Sequence, residues 1–341
     1  MKISDRLIGI LLAAMLFLSL FAGCAAKDET ASTTRPDVTE KSISVVATIF
    51  PAYDWTRQII GEGEDRVALT LLLDKGTDFH SYQPTVEDIY KISTCDIFIY
   101  VGGESDKWVP DALDQAENKN MVVINLLDAL GDAVKTEQTL EGMEHDHEDR
   151  EDHDHEEDRD RETELDEHVW LSLRHAAVLC RVIGDALGRK DPAHSAAYQA
   201  NADSYIKKLN DLDAAYSDAL AATSRKALLF ADRFPFRYLA DDYGLTCFAA
   251  FSGCSAETEA SFETVNFLVG KVDELELPYV MKLEGGDSRL AETIITNSKA
   301  QNAGILELNS LQSVTARDVA EGTTYLAVME RNLETLKTAL G

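Results

Sequence analysis

Residues 192–223 read PAHSAAYQANADSYIKKLNDLDAAYSDALAAT, and no glycine or proline interrupts them after Pro192. Apolar and aromatic side chains recur along this segment at steps of three and four, at Tyr198, Ala202, Tyr205, Leu209, Leu212, Tyr216 and Ala219. This period predicts one amphipathic helix, and about 30 residues give it a length of roughly 45 Å. A core helix of one domain is the alternative, but the length and the flanking sequence favour a rigid helix between two domains.

Short β-branched or apolar runs lie on both sides of this helix, four before it and four after it. They cover residues 43–49, 67–73, 96–101 and 121–126, then 227–231, 246–251, 279–283 and 304–308. Such runs separated by helical segments are typical of parallel βαβ units whose strands are buried on both faces. The sequence therefore predicts an α/β fold of two lobes, each with a four-stranded, mostly parallel sheet flanked by helices. The predicted boundaries are 43–190 for the first lobe, 191–223 for the long rigid helix that joins the lobes, and 224–341 for the second.

The first 42 residues have the features of an export signal and a tether. An apolar run from Leu7 to Phe21 follows a basic start, and it is shorter than the about 20 apolar residues of a membrane span. Its ending, Leu20-Phe21-Ala22-Gly23-Cys24, resembles the lipobox of bacterial lipoproteins. That resemblance implies removal of residues 1–23, a lipid on Cys24 and a flexible tether over residues 24–42. We expect a lipid-anchored protein on the extracytoplasmic face of the cell membrane; a plain secreted protein is the alternative.

Residues 141–166 form an acidic, histidine-rich segment. Residues 141–167 contain sixteen acidic side chains against three arginines, in a chain of formal net charge −29. Two H-x-H pairs lie within the segment, at His145, His147, His153 and His155. A charge run alone indicates a solvated loop, but imidazoles mixed with carboxylates attract divalent metals. We therefore predict an auxiliary metal-binding loop. The acidic balance argues against a nucleic-acid partner.

Two other histidines follow predicted strands. His80 lies after the carboxyl end of the second run, and His168 lies after the fourth run and the acidic segment. Ligands of open α/β sheets bind outside these carboxyl ends. A single histidine is more often a capping or core residue, but the shared position of this pair favours metal ligation.

The motifs H-E-x-x-H, G-x-S-x-G and G-x-x-x-x-G-K-[ST] are missing from the sequence, which weighs against a zinc peptidase, an α/β-hydrolase and an ATPase.

At these residues the chain resembles the zinc and manganese solute-binding proteins of ABC transporters. The matching elements cover nearly all of the chain after Cys24. They are Gly76-x-x-x-His80-x-x-x-Pro84-Thr85, Tyr100–Glu104 with Trp108, Glu167–Leu171, Tyr238–Ala240 with Tyr243–Leu245, and Thr324-Tyr325 with Asn332. The resemblance implies two α/β lobes joined by a long helix, with the metal in the cleft, and the histidine-rich insertion is typical of the zinc-handling members.

The chain departs from the family at the third and fourth ligand positions. Arg233 occupies the third position, and an arginine cannot ligate a cation; Asp232 beside it offers an oxygen. Asn309 occupies the fourth position, where the family usually has a carboxylate. The resemblance thus implies His80 and His168 as ligands, and we expect Asp232 and Asn309 to supply the third and fourth donors. The alternatives Glu284, Cys254 and a loop histidine remain open as replacements. Asp232 and Asp287 are the expected charge partners of Arg233.

Four cysteines follow Cys24, at Cys95, Cys180, Cys247 and Cys254, without any C-x-x-C pair. They do not make a disulfide scaffold. Cys247 and Cys254 either form one disulfide or remain buried thiols.

The predicted function is high-affinity capture of a divalent metal ion, zinc above all, and its delivery to an ABC permease and its ATPase for import. We expect a monomer that is not an enzyme. Three alternatives remain: a manganese receptor of the same family, an extracellular zinc buffer or adhesin without a transporter, and a metalloenzyme, which would need an open coordination position beside a general base.

Overall fold

The computed structural model describes residues 42–63, 65–143, 164–255 and 259–341. Several predicted features lie outside these residues: the signal peptide, residues 24–41 of the tether with Cys24, and the loop histidines His145, His147, His153 and His155. Lys41–Gly341 form one compact unit. Within the described ranges, no helix combines the length and the apolar character that crossing a membrane requires.

Four parallel strands form the first sheet, in the order β2-β1-β3-β4. The strands are β1 (Ile43–Ala47), β2 (Val67–Leu71), β3 (Ile97–Tyr100) and β4 (Val122–Asn125). The helices of this part are α1 (Phe50–Ile60), α2 (Val86–Thr94), α3 (Val109–Asp114), α4 (Leu126–Leu130) and α5 (Leu173–Lys190). The central strands β1 and β3 are almost entirely buried, as their apolar sequences predict. We call this sheet with its helices the first lobe.

A single helix, α6 (Ser195–Ala222), connects the first sheet to the second. Its 28 residues give a length of about 42 Å. Its buried face consists of Tyr198, Ala202, Tyr205, Leu209, Leu212, Tyr216 and Leu220, so the predicted stripe is confirmed, with Leu220 in place of Ala219 at its end. The helix begins three residues later than Pro192 because the preceding residues form a turn, in which the N–H of His194 donates to the carbonyl of Asp191 at 3.2 Å.

Four parallel strands also form the second sheet, in the order β6-β5-β7-β8. The strands are β5 (Ala227–Phe234), β6 (Thr246–Ser252), β7 (Tyr279–Leu283) and β8 (Gly304–Leu308). The helices are α7 (Arg237–Tyr243), α8 (Phe262–Glu274), α9 (Arg289–Asn297), α10 (Ala316–Ala320) and α11 (Tyr325–Leu340). We call this part the second lobe. All eight predicted strands are present, and the predicted α/β class with a long connecting helix is confirmed.

Apolar packing joins the two lobes in addition to α6. One core cluster includes Val45 and Phe98 of the first sheet together with Phe230 and Met281 of the second. Buried hydrogen bonds also cross between the lobes. The hydroxyl of Tyr325, at the start of α11, donates to the carbonyl of Trp170 at 2.6 Å, and the hydroxyl of Tyr238 donates to the carbonyl of Asp166 at 2.8 Å. The lobes therefore share an interface that contains much of the core.

Candidate metal centre

His80 lies on a short 3₁₀ turn, Phe79–Ser81, beyond the carboxyl end of β2. Asp78 begins this turn, and its Oδ1 accepts the backbone N–H of His80 at 3.0 Å. The ring of Phe79 is buried in the core. Because the backbone is held on both sides, the imidazole of His80 has a fixed direction.

His168 directly precedes a second 3₁₀ turn, Val169–Leu171, and its side chain is fully buried. Asp166 Oδ1 accepts the backbone N–H of His168 at 3.0 Å and lies 3.0 Å from the ring Nδ1. Gly253 of the second lobe packs against this ring, since a Cβ atom added at Gly253 would lie 2.8 Å from His168 Cε1. The second lobe therefore bounds the metal centre directly.

The two imidazoles meet at their Nε2 atoms, which are 3.0 Å apart. Two nitrogens bound to one tetrahedral zinc ion at about 2.0–2.1 Å lie about 3.3 Å apart. A separation of this size lets both rings bind one ion after a shift of a few tenths of an ångström. The structure thus brings together two residues that are 88 positions apart in the chain.

Hydrogen bonds on the far side of His80 orient its ring. His80 Nδ1 lies 2.9 Å from Ser105 Oγ and 3.3 Å from Glu167 Oε2. Ser105 donates its hydroxyl to Glu167 Oε2 at 2.5 Å and its backbone N–H to Oε1 at 2.8 Å. Asp166 holds Nδ1 of His168 in the same way. Ionised carboxylates only accept hydrogen bonds, so each Nδ1 carries a proton and each Nε2 has a free lone pair for a metal.

Burial sets the charges in this group. Burial lowers the pKa of His80 below the ordinary value of 6.5, because removing the imidazole from water disfavours its charged form. For Glu167, burial by itself would raise the pKa, but hydrogen bonds from His80 and Ser105 outweigh it and lower the pKa. A neutral imidazole supported by an ionised carboxylate is the combination that metal ligation requires.

Cys254 is the third potential ligand at this position. Its Sγ and one ring nitrogen each from His80 and His168 all lie within 4.8 Å of one another. Cys254 follows β6 by two residues, and its backbone N–H donates to Glu137 Oε1 at 3.2 Å. Burial raises the pKa of the Cys254 thiol, so the thiol is protonated at neutral pH. Cys95, Cys180, Cys247 and Cys254 are all free, which decides against the disulfide considered for the last two.

Among the described residues, the side chains close enough to hold one metal ion together are those of His80, His168 and Cys254. This group does not include Asp232 or Glu284. Asp232 Oδ2 accepts the backbone N–H of Leu283 at 3.0 Å. Glu284 accepts the N–H and the hydroxyl of Ser310, each at 2.7 Å. Both carboxylates stabilise loops of the second lobe.

Asn309 also forms hydrogen bonds within the second lobe. Its Oδ1 accepts the N–H of Leu311 at 2.8 Å. Asn332 of α11 accepts the N–H of Asn309 at 3.0 Å and donates to its carbonyl at 2.8 Å. The amide oxygen predicted as a ligand is thus used to shape the turn after β8.

Arg233 pairs with Asp78, and the expectation that Asp232 or Asp287 is its partner was wrong. The guanidinium Nη2 lies 2.5 Å from Asp78 Oδ2. Asp78 also begins the turn that carries His80, so the ion pair joins β5 of the second lobe to the His80 turn of the first. Burial opposes ionisation of Asp78, but the hydrogen bond and charge of Arg233 hold the pKa of that carboxyl below its ordinary range.

Ser105 and the role of Glu167 beside His80 were not predicted from the sequence. The available signal was the glycine pair Gly102-Gly103 directly after β3. Both glycines have positive φ values, 96° and 78°, and a Cβ atom at Gly103 would overlap the carboxylate of Glu167. The glycines let the backbone that carries Ser105 approach Glu167 closely.

Comparison with known proteins identifies the family. The family model for ZnuA, zinc-uptake complex component A, periplasmic, matches residues 45–339. The high-affinity zinc uptake system protein ZnuA of Bacillus subtilis (strain 168) is 30% identical over 332 residues, which cover 97% of each chain. The zinc-binding lipoprotein AdcA of Streptococcus pneumoniae (strain ATCC BAA-255 / R6) is 33% identical over 295 residues, 86% of this chain and 55% of AdcA. The chain therefore spans about half the length of that relative.

A solved structure agrees with the fold. The Zn(II)-bound ZnuA-like domain of Streptococcus pneumoniae AdcA superposes with a TM-score of 0.67 at 31% identity, over 88% of this chain and 99% of that domain. The matching family consists of substrate-binding components of metal transport and is not an enzyme family. On the match over residues 45–339 and the shared two-lobed fold, this chain belongs to the ZnuA family of zinc-uptake components.

Proposed function

We propose that this protein captures zinc outside the cytoplasmic membrane and delivers it to an ABC permease driven by a separate ATPase. The observation that carries the proposal is the 3.0 Å approach of His80 Nε2 to His168 Nε2, with an acceptor group on the far side of each ring. Zinc is the cargo of this site. Imidazole ligands favour zinc over manganese, which prefers carboxylate oxygens. The zinc-binding and zinc-uptake names of two relatives support the same metal.

The amino-terminal sequence and the family support the proposed location and partners. The lipobox-like ending at Cys24 and a lipoprotein relative support a lipid anchor on the extracytoplasmic face of the membrane. The protein acts as a monomer, with the first lobe over residues 43–190, the connecting helix over 191–223 and the second lobe over 224–341. The acidic segment, with His145, His147, His153 and His155, binds zinc weakly and raises its concentration near the cleft.

Competitive titration of zinc and manganese tests the principal site. The set consists of wild type, His80→Ala, a version without residues 144–163, and His194→Ala as a control histidine outside the metal centre. We expect wild type to prefer zinc, His80→Ala to lose more than about 100-fold in zinc affinity, and His194→Ala to match wild type. The shortened version should keep one tight site and lose only weak sites. Tight binding that disappears with the segment but survives His80→Ala would overturn the assignment.

Zinc uptake by cells tests the transport role. Cells whose only copy of the gene for this protein encodes His80→Ala should grow poorly when zinc is scarce and recover when zinc is added. His194→Ala should support growth like wild type. Normal growth and zinc accumulation with His80→Ala in scarce zinc would contradict delivery through this site.

A further inference from the structure

The metal centre lacks a third ligand at the position where the family supplies one. Arg233 stands there, and its guanidinium is paired with Asp78. Asp232 and Glu284 are hydrogen-bonded within the second lobe. Two imidazoles alone leave a zinc ion short of the three or four protein donors of known zinc sites. A further donor must therefore come from another element.

The loop after β6 brings such a donor to the imidazoles. Cys254 Sγ lies within 4.8 Å of a ring nitrogen of His80 and of His168. With zinc–sulfur and zinc–nitrogen bonds of about 2.3 and 2.0–2.1 Å, a sulfur and a nitrogen on one tetrahedral zinc lie about 3.6 Å apart. The sulfur can reach this distance by a movement of roughly 1 Å.

The surroundings of Gly253 and Cys254 hold these two residues beside His168. The adjacent Gly253 contacts the His168 ring, where no Cβ atom would fit without displacing it, and it also lies against the carbonyl of Phe234. Glu137 accepts the backbone N–H of Cys254 at 3.2 Å. These contacts hold Cys254 beside the ring of His168. Cys247, which lies within β6, is not part of the group formed by His80, His168 and Cys254.

We propose that Cys254, as a thiolate, is the third zinc ligand and replaces the family ligand lost at Arg233. The inference rests on the proposed zinc capture by His80 and His168. When zinc binds, the S–H bond of Cys254 breaks, a zinc–sulfur bond forms, and the proton passes to solvent. A soft thiolate with two imidazoles selects thiophilic dications, zinc and cadmium, and disfavours manganese. Because Cys254 belongs to the second lobe, the ion then bridges the two lobes.

Cobalt(II) substitution tests this ligand directly, because a cobalt–thiolate bond gives an intense near-ultraviolet charge-transfer band. The acidic segment contains no cysteine, so cobalt bound there cannot produce this band. Wild type, Cys254→Ser and the control Cys247→Ser are loaded with one equivalent of cobalt under reducing conditions. Circular dichroism melting of each variant checks that it is folded. We expect the band in wild type and Cys247→Ser, and its loss in Cys254→Ser.

Competition titrations provide the second readout. Cys254→Ser should bind zinc more than about 100-fold more weakly than wild type, since even outer-shell partners of a metal ligand contribute about 10- to 100-fold to metal affinity. Its preference for cadmium over manganese should also decrease. The cysteine proposal is overturned if cobalt-loaded wild type lacks the charge-transfer band and if folded Cys254→Ser binds zinc as tightly as wild type. In that case the proposed zinc capture still stands. If wild type does not bind zinc at all, the proposed function fails, and this inference fails with it.

Discussion

Asp166, Glu167 and His168 are consecutive in the chain, yet their side chains serve two different imidazoles. Asp166 holds Nδ1 of His168, whereas Glu167 points to the other side and holds His80 together with Ser105. One tripeptide therefore supplies one imidazole of the candidate site and helps to orient two.

Glu167→Gln should weaken zinc binding without unfolding the protein. Glutamine keeps the size of the side chain and an acceptor for the N–H of Ser105, but it removes the negative charge beside His80 Nδ1. We expect a loss of about 10- to 100-fold in zinc affinity, measured by competition with a chromogenic chelator. Glu164→Gln, at an exposed neighbouring carboxylate, should bind like wild type. Equal affinity for the two variants would contradict the role of Glu167.

Zinc affinity should rise with pH between 7 and 8. Burial lowers the pKa of His80, so protons compete with zinc at this ring only below pH 6.5. Burial raises the pKa of Cys254, so the thiol is protonated throughout this range and releases its proton when zinc binds. Release of one proton gives about a tenfold gain in affinity per pH unit. Titrations of the version without residues 144–163 at pH 7 and 8 measure this gain, and Cys254→Ser should reduce it. An unchanged affinity in the parent version would contradict proton release from Cys254.

At the scale of elements, the loops after parallel strands carry the residues of the candidate metal centre. His80 follows β2, Ser105 follows β3, His168 follows β4 at a distance, and Cys254 follows β6. The short apolar runs of the sequence were sufficient to predict the strands, because strands buried on both faces are almost purely apolar. The expectation that candidate ligands lie beyond strand ends rested on a different property, because ligands of open α/β sheets bind outside the carboxyl ends of the strands.

Side-chain partners that are distant in sequence were beyond prediction. Asp78 and Arg233 are 155 residues apart, and no local pattern selects one of the many carboxylates of an acidic chain as the partner of a given arginine. Likewise, Cys254 was one of several candidate donors. Only the fold shows that Asp232 is committed to the N–H of Leu283, whereas Cys254 lies beside the imidazoles.

The Arg233–Asp78 ion pair should slow the release of zinc. The pair is about three-quarters buried, with side chains 23% and 28% exposed, and it joins β5 to the His80 turn. Arg233→Met and Asp78→Asn should each increase the zinc dissociation rate, measured by stopped-flow transfer to a chelator. The double variant should show a coupling energy on the order of 1 kcal/mol. Strictly additive effects on the dissociation rate would contradict a direct interaction between the two residues.

At the scale of the whole molecule, the two lobes are connected by more than a hinge. The core cluster crosses between the sheets, and Trp170 donates its ring N–H to the carbonyl of Ser310 at 2.9 Å. Large hinge opening would expose this core and break buried hydrogen bonds, which is costly. Helix α6 adds a rigid connection. We therefore expect zinc release to occur through small tilts and loop movements.

Small-angle X-ray scattering of the metal-free and zinc-loaded protein checks this expectation. The radius of gyration should be the same in both forms within experimental error, because the shared core persists. Using the version without residues 144–163 removes any contribution of the acidic segment. A clearly larger radius in the metal-free form would indicate hinge opening and contradict the account.

Zinc K-edge X-ray absorption tests most directly whether His80 and His168 bind the same ion. The sample is the version without residues 144–163, loaded with one equivalent of zinc. If His80, His168 and Cys254 bind one zinc ion, we expect scattering from two imidazoles at about 2.0–2.1 Å and from one sulfur at about 2.3 Å. His80→Ala should remove one imidazole contribution. A first shell of oxygen alone, or a spectrum that His80→Ala leaves unchanged, would contradict the claim.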